Sequence, residues 1–269
     1  MILSINVAQL PWLYNQMPDP DDRMAAICNN ILAAINDPTS VGIRIICFQE
    51  LFSNSARNIV RKMLKSHYPY MFLDNSCGKY GIGVNSGLGI ISRDPLTCCT
   101  IREYSSRRNI EYLTKKGLMG VKCTWRLPNL STITLYIYNT HLQAGGNIPP
   151  FSWLNRTSAD EIKHRQIREA MQWIRRDLSA SDPHSIILFC GDLNLSPDED
   201  PFTNIRPAFP LVRDTFDSMI SPISYSSANR KRIDYCIELR PQPEVEVLSI
   251  IIDESMVNTD HHPVMVSIM

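Results

Sequence analysis

Apolar and polar positions alternate along several short stretches of the chain. In TITLYIY (132–138), Ile133, Leu135 and Ile137 fall on one face, the two-residue period of a strand. ILSIN (2–6), IRIICFQ (43–49), GLGIIS (87–92), MGVKCTW (119–125), SIILFCG (185–191), IDYCIEL (233–239), EVLSIII (246–252) and PVMVSI (263–268) are further strand candidates. Several are apolar on both faces, which implies strands covered from both sides. Between them the period changes. Met24, Ile27, Cys28, Ile31, Leu32 and Ile35 recur at helical spacing behind Asp21 or Asp22 as the cap, and Ala56, Ile59, Val60, Met63 and Leu64 mark a second stripe. Ser158 with Glu161 three residues on is a capping-box pair; it opens a third helix carrying Ile162, Ile167, Ala170, Met171, Ile174 and Leu178 on one face. Buried strands interleaved with amphipathic helices predict a mixed α/β architecture, packed sheets with helices outside. No repeat or low-complexity linker divides the sequence, so residues 1–269 are expected to form one domain.

Charge and composition narrow the function classes. Lysine plus arginine equals aspartate plus glutamate at 27 each, so no net field recruits a polyanion. Locally, residues 98–117 hold Arg102, Arg107, Arg108, Lys115 and Lys116 against Glu103 and Glu111, a stretch that either attracts phosphate or is a solvated loop. The apolar runs fall far short of the about 20 residues a helix needs to cross a bilayer, so any membrane association is expected to be peripheral. MILSINV has the pattern of a strand and not of a cleavable signal peptide, which points to the cytoplasm or to export by a route that reads no such signal. Eight cysteines, among them Cys47, Cys190 and Cys236, sit mostly in apolar runs without a CxxC pair, the pattern of reduced thiols serving as small hydrophobes.

Polar groups gather where the strands stop. Asn6, Glu50, His141, Asp192 and Asn194 each follow an apolar run, and Asp260, His261 and His262 precede the last one. Carboxylate and amide oxygens are hard donors that suit Mg²⁺, with Mn²⁺ as its substitute, above all when substrate phosphate completes the shell. Zinc held by His141, His261 and Asp192 is the competing set, although no HExxH or cysteine ligands accompany it. Asp234 stands between Ile233 and Tyr235 and needs a partner in such surroundings. Arg230 or Arg232 supplies a purely structural one; a histidine N–H, first of all that of His261, supplies a functional one. His262, its neighbour in extended chain, points the other way and is assigned to packing.

The ordered set resembles the endonuclease/exonuclease/phosphatase superfamily: Asn6 in SINV, Glu50 in CFQEL, Asp192 and Asn194 in GDLN, and Asp260-His261 in TDHHPV. SGLGIISRDPL (86–96), KKGLMGVK (115–122) and NTHLQAG (139–145) are similar to its neutral sphingomyelinase branch. The resemblance implies an α+β fold, a four-layer α/β/β/α sandwich of two packed mixed sheets flanked by helices. It also implies a metal-dependent phosphoric diester hydrolase acting on sphingomyelin or a related phospholipid at a membrane surface, releasing ceramide and phosphocholine. RIDY is similar to the nuclease branch, so DNA or RNA is the alternative substrate, and a non-catalytic binding descendant is the third possibility. Thr259 stands where serine is common, and no hydrophobic membrane-docking hairpin is visible.

The expected division of labour follows. Glu50 holds Mg²⁺ with Asn6, Asp260 supports the metal or His141, and His261, oriented by Asp234, takes a proton from the attacking water. Asp192 and Asn194 position that water and the phosphoryl group; His141 donates a hydrogen bond to a non-bridging oxygen. Lys116 is expected to contact substrate. Phe151 and Trp153, in GGNIPPFSWLNRTS, either meet lipid or substrate or pin their loop to the core.

Overall fold

The computed structural model describes residues 1–9, 19–36, 42–76, 84–107, 114–129, 131–145, 157–178, 183–252 and 259–269. In chain order the elements are β1 (Ile2–Gln9), α1 (Pro20–Asn36), β2 (Ile45–Leu51), α2 (Asn54–Leu64), β3 (Tyr70–Leu73), β4 (Gly89–Ser92), β5 (Thr97–Glu103) and β6 (Gly117–Arg126). They continue with β7 (Thr132–His141), α3 (Ala159–Asp177), β8 (Ile186–Asp192), β9 (Arg213–Asp214), β10 (Asp234–Glu238), β11 (Val247–Ile251) and β12 (Val264–Ile268).

The strands form two six-stranded sheets, ordered β11-β12-β1-β2-β4-β3 and β5-β6-β7-β8-β10-β9. Each is mixed: β1 pairs parallel with β2, and β7 with β8, among antiparallel neighbours. Their inner faces meet in one apolar layer, where Ile2, Ile45, Cys47 and Val266 of the first sheet pack with Leu135, Ile137, Leu188 and Cys190 of the second. The opposite face of the first sheet (Leu3, Ile5, Val7) is covered by α1 and α2, and that of the second (Tyr138, Ile187, Phe189) by α3. This is the four-layer sandwich, and it explains why so many strands read as apolar on both faces.

Helix starts follow local chemistry. Ser158 accepts a hydrogen bond from the Glu161 N–H at 3.1 Å and caps α3, the first half of the expected box, while the Glu161 carboxylate pairs with Arg165. Helix α1 departs from expectation: it begins at Pro20, so Asp21 and Asp22 lie inside the first turn, where they complement the helix dipole without capping. Three strands were not expected, β3, β5 and β9. Strand β5 takes up the start of the basic stretch 98–117, and its Arg102 pairs with Asp177 at 2.6 Å while Arg107 pairs with Glu103. Arg108 and Glu111 lie outside the described residues, as do Phe151 and Trp153. The cysteines described are free thiols, and among the described residues no helix is long and apolar enough to cross a membrane.

Candidate active site

The alternation that fills the inter-sheet core turns polar at one end of the strands. On β1 the inward positions run Ile2, Ser4, Asn6; on β7, Leu135, Ile137, Asn139, His141; on β8, Ile186, Leu188, Cys190, Asp192. Strands β1, β2, β7 and β8 all finish at this end, and antiparallel β10 starts there with Asp234. Register does the rest. His141 is the direct partner of Asp192, and Asp192 of Asp234, which sets three ionisable groups in a row across three strands. Asn6 is in register with Gln49, beside Glu50, in the facing sheet.

The side chains meet across the gap. Asn6 Nδ2 donates to Asp192 Oδ2 at 3.1 Å. His141 Nε2 lies 3.6 Å from Glu50 Oε1, 3.5 Å from Asp192 Oδ2 and 2.9 Å from Lys116 Nζ. Lys116 is buried and also donates to Leu142 O at 2.6 Å, so of the arginines and lysines described in the basic stretch it is the one placed in this cluster. His261 Nδ1 is 2.8 Å from Asp234 Oδ2, and its Nε2 faces Asp192 Oδ2 at 3.9 Å. Arg232 pairs with Asp214 instead, leaving Asp234 to the imidazole. Asn194 takes a left-handed conformation, φ 52°, in which its N–H donates to Asp192 Oδ1 at 2.8 Å.

Two residues stand differently from expectation. The oxygen of Asn6 accepts from the Ala8 N–H at 3.0 Å, so its amide turns nitrogen, not oxygen, toward the carboxylates. Asp260 is exposed and lies outside both groups of clustered ligand atoms, though its charge acts on Glu50 and His261. His262 is buried edge-on against Tyr225, with ring centroids 5.2 Å apart.

Burial governs the electrostatics. It raises the Glu50 carboxyl above its usual range against the opposing pull of Lys116 and His261. Burial, then the Asp234 charge, pushes Asp192 up to about 7. His141 is held well below the ordinary histidine value by burial and by the charges of Lys116 and His261, so it is neutral. For His261 burial also opposes the charged form, but the charge and hydrogen bond of Asp234, with Asp192 and Asp260, outweigh it and raise its pKa well above normal.

The donor set suits a divalent cation. Ligand atoms of Glu50, His141 and Asp192 lie within 4.8 Å of one another, and Asp192, Asp234 and His261 form a second such group. Crowded carboxylates whose ionisation is disfavoured are the condition that a dication relieves, and two carboxylates with one neutral imidazole are acceptable to Mg²⁺, Mn²⁺ and Zn²⁺.

Four further residues shape the site without having been picked out for a role there. Ser226 Oγ accepts from the Ile233 and Asp234 N–H groups, both at 2.9 Å, and fixes the start of β10. Thr259 Oγ1 donates to Asn6 O and accepts from the His261 N–H, so the hydroxyl retained at this position ties the histidine to β1. Gln49 and Asn139 hydrogen-bond each other beneath the acids at 2.7 Å. Inward-facing phase was the available signal for Gln49 and Asn139; Ser226 had none.

Comparison with known proteins agrees with this fold. The chain is 24% identical over 163 residues to sphingomyelin phosphodiesterase 5 of Mus musculus, a match covering 57% of this chain and 32% of that protein. It spans less than a third of the length of the curated relatives it matches. Staphylococcus aureus beta toxin, in a variant with bound magnesium ions, superposes with a TM-score of 0.73 at 16% identity, covering 98% of both chains. Truncated TDP2 of Caenorhabditis elegans gives 0.65 at 16% identity, covering 100% of this chain and 96% of that one. The model of the endonuclease/exonuclease/phosphatase family matches residues 3–252, and the chain therefore belongs to that family, resembling its neutral sphingomyelinase branch.

Proposed function

We propose that the chain is a divalent-metal-dependent phosphodiesterase that hydrolyses sphingomyelin, or a closely related phospholipid, to ceramide and phosphocholine at a membrane surface. The observation that carries the reading is the His261–Asp234 pair, 2.8 Å apart, standing before the buried Glu50, His141 and Asp192 cluster. A base and a cation-binding acid set on one rim are what phosphodiester hydrolysis requires, and the curated relatives named for sphingomyelin supply the substrate class.

Glu50, with Asp192 and His141 beside it, would hold Mg²⁺, or Mn²⁺ in its place. When bound, the ion supplies charge neutralisation at the phosphoryl and leaving oxygens. Asp234 fixes the imidazole so that Nε2 of His261 faces the space in front of Asp192, and a cation held there would offset the carboxylate charges that raise the His261 pKa, favouring the unprotonated ring that can act as a base. That nitrogen takes the proton of a water whose oxygen bonds to phosphorus; the bond from phosphorus to the ceramide oxygen breaks, the leaving alkoxide takes a proton from solvent to depart as ceramide, and His261 returns its proton to solvent. Asp192 and Asn194 orient the water and the phosphoryl group. Lys116 Nζ, which donates to His141 Nε2 and Leu142 O, is the candidate donor to a non-bridging oxygen, and Asp260 biases the site by charge alone. Asn6 acts by holding Asp192.

The test is a substrate panel of sphingomyelin, phosphatidylcholine, phosphoinositides, supercoiled DNA and abasic DNA, each with Mg²⁺ and with EDTA. Phosphocholine released from sphingomyelin with Mg²⁺, and abolished by EDTA, is expected. DNA nicking without phosphocholine release would replace this reading with a nuclease.

A further inference from the structure

Below the acids lies a second polar layer that the chemistry just described does not use. Gln49 Nε2 donates to Asn139 Oδ1 at 2.7 Å and to Ser4 Oγ at 3.2 Å, and Asn139 Nδ2 donates to Phe48 O at 2.8 Å and Gly89 O at 3.2 Å. Both amides are fully buried, and they join β2 and β4 of one sheet to β7 of the other. Orientation is fixed: the two carbonyls demand the Asn139 nitrogen, which leaves its oxygen toward Gln49 and so demands the Gln49 nitrogen. The Gln49 oxygen is left without a hydrogen-bond partner, a penalty that sheet packing alone does not require.

Strand β2 loses its alternation at this point. Ile45, Cys47 and Gln49 point to the other sheet, whereas Ile46 and Phe48 point to the helices. Simple alternation would send Glu50 to the helix side and Leu51 inward. Leu51 packs on the helix side, Glu50 reaches His141 of the facing sheet, and Glu50 has a φ of 57°. The register with β1 shifts at the same place, with the extra residue on β1, where Ala8 has a φ of 47°. A left-handed glutamate in a strand is strained and persists only where its neighbours over-determine it. Gln49 holds one side through Asn139; the Leu51 N–H, donated to Gly87 O at 2.8 Å, holds the other.

We infer that the Gln49–Asn139 pair is a positioning clamp: it stabilises the left-handed turn at Glu50 that rotates this side chain out of the strand's outer face, and it fixes the distance of Glu50 from His141. Gln49 and Asn139 touch neither cation nor substrate. They act through Glu50, and the inference rests on the divalent-metal site proposed above.

Mn²⁺ binding to the full chain, followed by the electron paramagnetic resonance signal of the free ion, tests this without turnover. Gln49→Met keeps the volume and removes both the donor and the orphaned oxygen; it should raise the Mn²⁺ Kd about 10- to 100-fold, the usual effect of losing an outer partner of a ligand. Ile90→Val, a mild change in the same inter-sheet core, should leave Kd unchanged, which separates positioning from general loosening. A wild-type Kd in Gln49→Met overturns the clamp. Ser4→Ala, which removes one of the hydrogen bonds, should shift Kd the same way by less, and decides the matter if Gln49→Met does not fold: an unchanged value there overturns the inference. Wild-type chain that binds Mn²⁺ but leaves sphingomyelin intact would remove the lipid reading and not the clamp, whereas no Mn²⁺ binding at all would remove both.

Discussion

His261 is held from behind by Asp234 and looks out over Asp192, so its two nitrogens have separate tasks. Truncating it to alanine should lower kcat about 100- to 10,000-fold with the Mg²⁺ half-saturation nearly intact, as measured by phosphocholine release across an Mg²⁺ titration. Glu50→Ala should do the reverse, raising that half-saturation by at least about tenfold, since a direct ligand matters no less than an outer partner. Equal and small losses in both would break the assignment. The Asp234–His261 pair was legible because a carboxylate flanked by Ile233 and Tyr235 has few affordable partners. The Gln49–Asn139 pair was not. Neutral amides raise no such alarm, and the partners stand 90 residues apart with only a shared inward phase to connect them. The direction in which Asn6 turns its amide depends on the Ala8 N–H, a backbone group that no side-chain pattern displays.

Among the elements, β7 and β8 carry the site's register, and Gly191 lets them meet. A Cβ at Gly191 would lie 1.9 Å from Thr140 O, and the φ of 130° is foreign to other residues. Gly191→Ala should therefore cost more than about 3 kcal/mol, read by chemical denaturation, and weaken Mn²⁺ binding by displacing Asp192. Ser158→Ala should cost only about 1 kcal/mol, the usual value of a lost helix cap. In the loop between β3 and β4, burial works to raise the Asp74 carboxyl, but N–H donors from Ser86 at 2.7 Å and Ser76 at 2.9 Å outweigh it and hold the group below its ordinary 3.8. A depressed carboxyl contributes stability above its unfolded pKa and loses it as pH falls through the folded one. The gap in Tm between wild type and Asp74→Asn should accordingly be constant from pH 5 to 8 and close below about pH 4; a gap that persists in acid would show that charge is not involved. Strands with a continuous inner stripe were all visible in the sequence. Strand β5 was hidden because it is a largely exposed edge whose TCCTIRE lacks a buried alternating face, and β3 and β9 are short and take their conformation from neighbouring strands.

At the scale of the whole molecule, two sheets pack face to face and the polar ends of their inner stripes form one shared rim. The sequence order of the polar strand ends made the family legible, because each motif terminates an inward-facing run; the height at which the two sheets lock depends on long-range register that local patterns do not encode. The central claim is that this rim directs water onto a phosphodiester phosphorus. Hydrolysis of sphingomyelin in ¹⁸O-enriched water with Mg²⁺, followed by mass spectrometry of both products, measures it most directly. The account predicts one ¹⁸O in phosphocholine and none in ceramide; label in ceramide, or no phosphocholine at all, would contradict it.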